Sequence, residues 1–304
     1  MNNKTSPIVR IILWSLIGVV AMMFLINTAN SGGINFSGFL TSGSNQNLTV
    51  QKETIITEEI DTIEIAWYTG GVKLSISNDN TIRLVEKSSK QTSTDHLLDY
   101  SVNQKVLKIK SRNKHNINFF FFSLNSPTYL EISVPEKIYE SIEIKAASGD
   151  YDFTGLKTKN LAVTLASGDV TVMNSEIDSF DTTTVSGRLI SSNTQIQKAD
   201  VNMTSGSTEL DGEIHELKLA MTSGNADINM SVLPDQLDIR ITSGIVKATL
   251  PENSGFKASV DKTSGYFSSD FAMSSSGNSY TYGAGGPSYS FKITSGNIRL
   301  LKGN

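Results

Sequence analysis

Leu237-Asp238-Ile239-Arg240-Ile241-Thr242-Ser243-Gly244-Ile245-Val246-Lys247-Ala248 alternates apolar and polar residues on both sides of a Ser-Gly pair. Alternation with period two is the mark of a strand with one buried face. The same offsets recur as Leu217, Leu219, Met221, Ser223-Gly224, Ala226 and Ile228, and again as Ile142, Ile144, Ala146, Ser148-Gly149, Tyr151 and Phe153. The glycines Gly149, Gly168, Gly187, Gly206, Gly224 and Gly244 are spaced by 19, 19, 19, 18 and 20 residues, and two further pairs follow at Ser264-Gly265 and Ser295-Gly296. A self-similar period of this size indicates a solenoid.

Each unit reads as two short strands meeting at a Ser-Gly corner and closed by a polar turn such as Asn174-Ser175-Glu176. Glycine tolerates the backbone angles of a corner, and the step in parity at the glycine is what a bulge produces. The serine shares the parity of the apolar residues, so it is expected to point inward and stack on its counterparts. One unit cannot bury its own apolar face, but stacked copies bury a shared one. The fold expected is all-β, a single-stack β-solenoid of Ser-Gly repeats. Leu161, Val163, Val170, Val172, Val201, Met203, Leu217, Leu219, Leu237 and Ile239 should be buried, and antiparallel pairing across residues 142–250 would exclude this fold.

The column extends beyond the obvious repeats. Ile63, Ile65, Trp67, Thr69-Gly70, Val72 and Leu74 follow the same pattern with threonine for serine. Gly70 and Gly149 are 79 residues apart, close to four repeats. Degenerate rungs with long arms or a capping set of hairpins would each account for residues 75–135. At the other end, Ser268 to Ser288 reads as an insertion looping out of the column, followed by a final rung over Tyr289–Leu300.

The chain has 304 residues, a net charge of −4 and no cysteine, which excludes disulfides and thiol chemistry, and nothing in its charge suggests a nucleic-acid partner. Ile8 to Ile26 is a 19-residue apolar run with Lys4 and Arg10 at its start and no basic residue after it until Lys52. That length suits a transmembrane helix, and the charge bias puts the N-terminus in the cytoplasm. The expected organisation is a cytoplasmic tail (1–7), a single-pass membrane anchor (8–26), a flexible Gly/Ser/Asn-rich linker (27–47) and an extracytoplasmic domain (48–304). A cleaved signal peptide or a buried core helix are the competing readings of the apolar run.

Chemistry is sparse. His96, His115 and His215 lack metal-ligand spacing, and no nucleophile elbow, phosphate loop or dinucleotide fingerprint occurs, so no cofactor and no catalytic residue is expected. The best candidate surface is the position just past the glycine corner, where Asp150, Asp169 and Arg188 follow one another on successive rungs. Stacked acids there are compatible with a self-compensating surface ladder, with weak cation binding, or with the paired carboxylates of a polysaccharide-active enzyme. Phe119-Phe120-Phe121-Phe122 cannot all face inward on one strand. They are expected either to cover the open end of the column or to stay exposed for a partner or a membrane.

Val134-Pro135, Ala147-Ser148-Gly149-Asp150, Ala166-Ser167-Gly168-Asp169 and Thr294-Ser295-Gly296-Asn297 resemble a bacterial extracytoplasmic domain of unknown function labelled "putative adhesin". That family includes LiaG-like membrane-anchored proteins encoded beside envelope-stress genes, and the similarity spans roughly Leu48 to the C-terminus. The resemblance implies a non-enzymatic, adhesin-like binding or scaffold domain at the cell envelope, linked to envelope stress. Its partner would be a wall polymer, a lipid or another envelope protein. The alternative from a different class is an enzyme using the Asp150/Asp169 face.

Overall fold

A computed structural model describes residues 48–91, 97–111 and 128–303, which fall in one compact unit, Leu48–Asn304. Strands dominate, and no helix occurs among the described residues, so none there is long and apolar enough to cross a membrane. The expected anchor over 8–26 lies outside the described residues.

In chain order, β1 (Thr49–Ile56), β2 (Thr62–Ala66), β3 (Gly70–Ser77), β4 (Ile82–Ser88), β5 (Asp99–Asn103), β6 (Val106–Lys110) and β7 (Thr128–Pro135) build one end. Then come β8 (Ile138–Tyr139), β9 (Ser141–Thr154), β10 (Lys157–Met173), β11 (Glu176–Met230) and β12 (Gln236–Leu250). The far end holds β13 (Gly255–Lys262), β14 (Tyr266–Ser269), β15 (Ser274–Ser276), β16 (Ser279–Gly283), β17 (Ser288–Ile293) and β18 (Asn297–Lys302).

The repeats stack in parallel and in register. Leu161 pairs with Ile142 on one side and Phe180 on the other, and Gly168 with Gly149 and Gly187. Leu217 pairs with Leu237 and Gly224 with Gly244. All ten residues expected in the core are buried. Within one repeat the inward residues fall into three groups: Leu161, Val163 and Leu165; Val170 and Val172; Ser175 and Ile177. Each rung is therefore a three-sided loop around an apolar axis, and not the two-stranded unit expected.

The corner glycines carry the geometry. Gly206 has φ +133, and a Cβ built on it would stand 1.9 Å from the Gly187 carbonyl oxygen. Gly224 repeats this against Gly206, with φ +131 and 2.0 Å. Successive corners thus touch backbone to backbone, a separation that only glycine permits.

The serines beside them do not point inward. Ser186, Ser205, Ser223 and Ser243 are exposed, and Ser148 and Ser167 only half-buried. Inward parity ends two residues earlier, at Leu165, Met203 and Met221. The ladder then skips a residue, pairing Leu165 with Thr184 and Ser167 with Ser186, so the chain has begun to turn before the serine is reached. Ser295 and Ser264 instead donate from the outside to a neighbouring rung's corner carbonyl, at Thr242 (3.1 Å) and Thr294 (3.0 Å).

Both ends are capped, and at both the order in space departs from the order in sequence. β9 stacks directly on β2 and β3, with Gly71 opposite Asp150, so the chain between Gly70 and Gly149 makes an excursion. In it, β6 and β7 add one more rung beneath β2 and β3. β4 then covers β7 antiparallel, β1 covers β4, and β5 covers β6. Over the described part of residues 75–135 the capping reading holds, with one rung included. Trp67 plugs this end, its indole N–H donating to the Thr128 carbonyl at 3.0 Å.

At the far end, β17 and β18 lie between β12 on one side and β13 and β14 on the other. The last rung in sequence is thus an interior rung. Residues 268–288 do not loop out of the column: β16 pairs antiparallel with β13 and carries β15, which closes the end. Phe256, Phe271, Tyr282 and Tyr289 pack there with ring centroids 4.8–5.6 Å apart.

Candidate functional site

The second side of the rung begins just past the glycine corner, and its outward positions form straight columns because the register never slips. Asp150, Asp169 and Arg188 occupy consecutive places in the first column, as the repeat spacing implied. Arg188 Nη2 approaches Asp169 Oδ2 at 3.8 Å. Partial burial, followed by the charges of Asp169 and Asp152, holds the Asp150 carboxyl above its ordinary range, against a backbone hydrogen bond from Asp169. On its other side Asp150 faces Gly71, over which the Tyr129 ring leans: a Cβ on Gly71 would meet Tyr129 Cδ1 at 3.1 Å.

Beyond Arg188 the first column continues through Ser207, Asn225 and Ile245 to Asn297, where Asn225 opposes Ile245 and Ile245 opposes Asn297. The second column holds Asp152, Thr171 and Ile190, then Glu209 and Asp227, with Lys247 opposite Asp227. Ser207, Glu209, Asn225, Asp227, Ile245 and Lys247 line an open depression of about 260 Å³.

A second open depression, of about 430 Å³, follows the next corner, where Asn174 and Asn193 adopt left-handed backbone with φ +52 and +50. Their amides stack, Asn193 Nδ2 donating to Asn174 Oδ1 at 2.7 Å, and Asn229 donates likewise to Asp211 at 2.7 Å. A third, of about 60 Å³, lies on the first side among Glu64, Lys108, Glu143 and Lys145, already joined as Lys108–Glu64 (2.9 Å) and Lys145–Glu143 (2.7 Å).

Among the described residues no group of three or more His, Cys, Asp or Glu side chains could hold a metal ion. His215 stands against Glu213 at 3.0 Å, while His96 and His115 lie outside the described residues. So do Phe119, Phe120, Phe121 and Phe122. Sequence reasoning brought Asp150, Asp169 and Arg188 together correctly and overlooked two features of the same column. One is the Gly71 notch beside Tyr129; the other is Ile245, an exposed aliphatic residue set between the polar Asn225 and Asn297 in that outward column. Aligning the repeats on their glycines exposes the second.

A family model described as Toastrack DUF4097 matches residues 60–301. Among curated proteins, none matches the sequence. A solved structure of a "putative lipid binding protein" from Parabacteroides distasonis ATCC 8503 is similar at 14% identity and TM-score 0.50, covering 86% of this chain and 98% of that one. A "putative adhesin" from Bacteroides fragilis NCTC 9343 gives 15% identity and TM-score 0.44 over 84% of this chain and 98% of that one. A "putative cell adhesion protein" from Clostridium sporogenes ATCC 15579 gives 14% identity and TM-score 0.31 over 83% and 99%. At these identities the likeness is one of fold.

Proposed function

Because the chain belongs to the Toastrack DUF4097 family, we propose that it is a non-enzymatic binding or scaffold protein of the cell envelope. The apolar run over residues 8–26 anchors it in the membrane with the N-terminus cytoplasmic, and the column from Leu48 onward lies outside. There it engages a wall polymer or another envelope protein in connection with envelope stress. The observation that supports this most is the outer surface of the rungs. In-register columns of outward side chains make long faces on one rigid backbone, the shape by which solenoids hold extended partners. Co-sedimentation of the full-length chain with isolated wall and membrane fractions tests it: retention by either fraction is expected, and retention by neither would overturn it. Protease shaving of intact cells should remove the domain and leave the anchor.

One observation favours a second reading, an enzyme acting on polysaccharide. Asp150 stands beside Asp169 on the adjacent rung with its own carboxyl held above the ordinary range by partial burial, and glycan cleavage uses an acid so raised next to a second carboxylate. Glycan turnover by the wild type that disappears in Asp169→Asn would establish this reading and displace the first.

A further inference from the structure

We infer that the depression around Ile245 is a subsite for one neutral pyranose unit of a glycan, an inference that rests on the binding-module reading. Ser207, Asn225 and Ile245 line it from the first column, and Glu209, Asp227 and Lys247 from the second. The polar side chains of Ser207, Glu209, Asn225, Asp227 and Lys247 have no hydrogen-bond or ion-pair partner among the described residues. That holds even for Asp227 and Lys247, which are opposite one another in register. Higher up the same side, by contrast, Asp169 meets Arg188.

Two carboxylates that only accept, an ammonium that only donates, and an amide and a hydroxyl that do both are thus gathered in one dip. This mixture matches the alternating donors and acceptors of a sugar's hydroxyls. Ile245 supplies the other half of the recognition. It is 38% exposed between Asn225 and Asn297, its polar neighbours in the column, and it offers an apolar patch for the C–H face of a ring. The strands beneath are paired on both sides, so the groups are held on rigid backbone before a ligand arrives. Two carboxylates against one ammonium leave the dip negative, which disfavours phosphate-bearing polymers and selects an uncharged saccharide.

Titration calorimetry of the full-length chain with chitotetraose, a neutral amino-sugar oligomer, and separately with polyribitol phosphate, an anionic polymer, tests the assignment. Chitotetraose should bind and the anionic polymer should not. Asp227→Ala and Ile245→Ala should each weaken chitotetraose binding by about tenfold or more, and Lys159→Ala, at an exposed ion pair away from the depression, should leave it unchanged. The thermal midpoint should not move in Asp227→Ala, whose side chain has no hydrogen-bond or ion-pair partner among the described residues, and should fall only slightly in Ile245→Ala, which gives up part-buried apolar surface. Chitotetraose binding that survives both lining variants, binding of the anionic polymer alone, or no chitotetraose binding would each overturn the subsite. If the chain still co-sediments with wall or membrane fractions in any of those cases, the binding-module reading stands without it. Failure to co-sediment with either would remove both.

Discussion

At the corner, two adjacent residues play opposite roles. Ser205 is exposed, so Ser205→Ala should leave the thermal midpoint unchanged within error. Gly206→Val forces a β-branched residue to φ +133 and drives its Cβ to 1.9 Å from the Gly187 carbonyl oxygen. The backbone strain alone is worth about 1–3 kcal/mol, and relieving the overlap must push neighbouring rungs apart, so the loss should exceed that range. Paired thermal melts check both, and equal melts would mean the glycine column does not bear on stability. Glu86 is a different kind of residue, a carboxylate only 1% exposed in the N-terminal cap. It accepts the Leu98 N–H at 2.6 Å, while Lys52 Nζ donates to the Leu98 carbonyl at 2.9 Å. Burial raises its pKa above the ordinary glutamate range, opposed by the Leu98 N–H and by Lys52. The folded state then takes up a proton at a pH where the unfolded chain does not. Glu86 therefore favours folding as pH falls through its folded-state value and costs stability as pH rises. Denaturant titrations from pH 7 down to about the ordinary carboxyl value should show this gain in the wild type and a smaller one in Glu86→Gln.

At the level of the rung, the interior is uneven. The rungs at either end are lined by Ile, Leu, Phe and Trp, whereas residues 176–211 bring Thr182, Thr184, Ser191, Thr194 and Thr208 inside. Thr194 donates to the Ser192 carbonyl at 3.0 Å, but Thr182 Oγ1 and Ser191 Oγ find no protein partner. A buried hydroxyl left unpaired costs about 1–3 kcal/mol, so Thr182→Val, which keeps the shape, should stabilise the protein by about 1 kcal/mol; an unchanged or lower denaturation midpoint would argue otherwise. The rung is also where the sequence spoke most clearly. Leu161 to Ile239 alternate because the sheet demands it, and the constant interval between glycines sets the register that aligns Asp150 with Asp169 and Arg188. The direction of the corner serines was not legible, since parity follows a straight strand and the chain has already turned at Ala166. The number of sides was hidden for the same reason: Ser175 and Thr194 are buried polar residues that read as turn.

For the whole column, the interior could be read from the chain and the ends could not. Apolar alternation tells a strand which face to bury, but not which neighbour to lie beside. Tyr289, Phe291 and Ile293 fit the repeat equally well as a final rung or as an inserted one. Their place between β12 and β13 follows from the cap that β13–β16 make first. A chain ending at Pro287 should therefore lose more than its last strands. Hydrogen exchange is expected to show protection vanishing from β13–β16 as well, while residues 142–230 keep theirs; protection retained over β13–β16 would show that the cap stands by itself. For a chain leaving the ribosome N-terminus first, the consequence is one of timing. Every earlier rung can settle on one already made, yet the cap must wait beside an empty slot until β17 and β18 emerge to fill it. A chain cut short before those two strands is left open in its interior and not merely shortened.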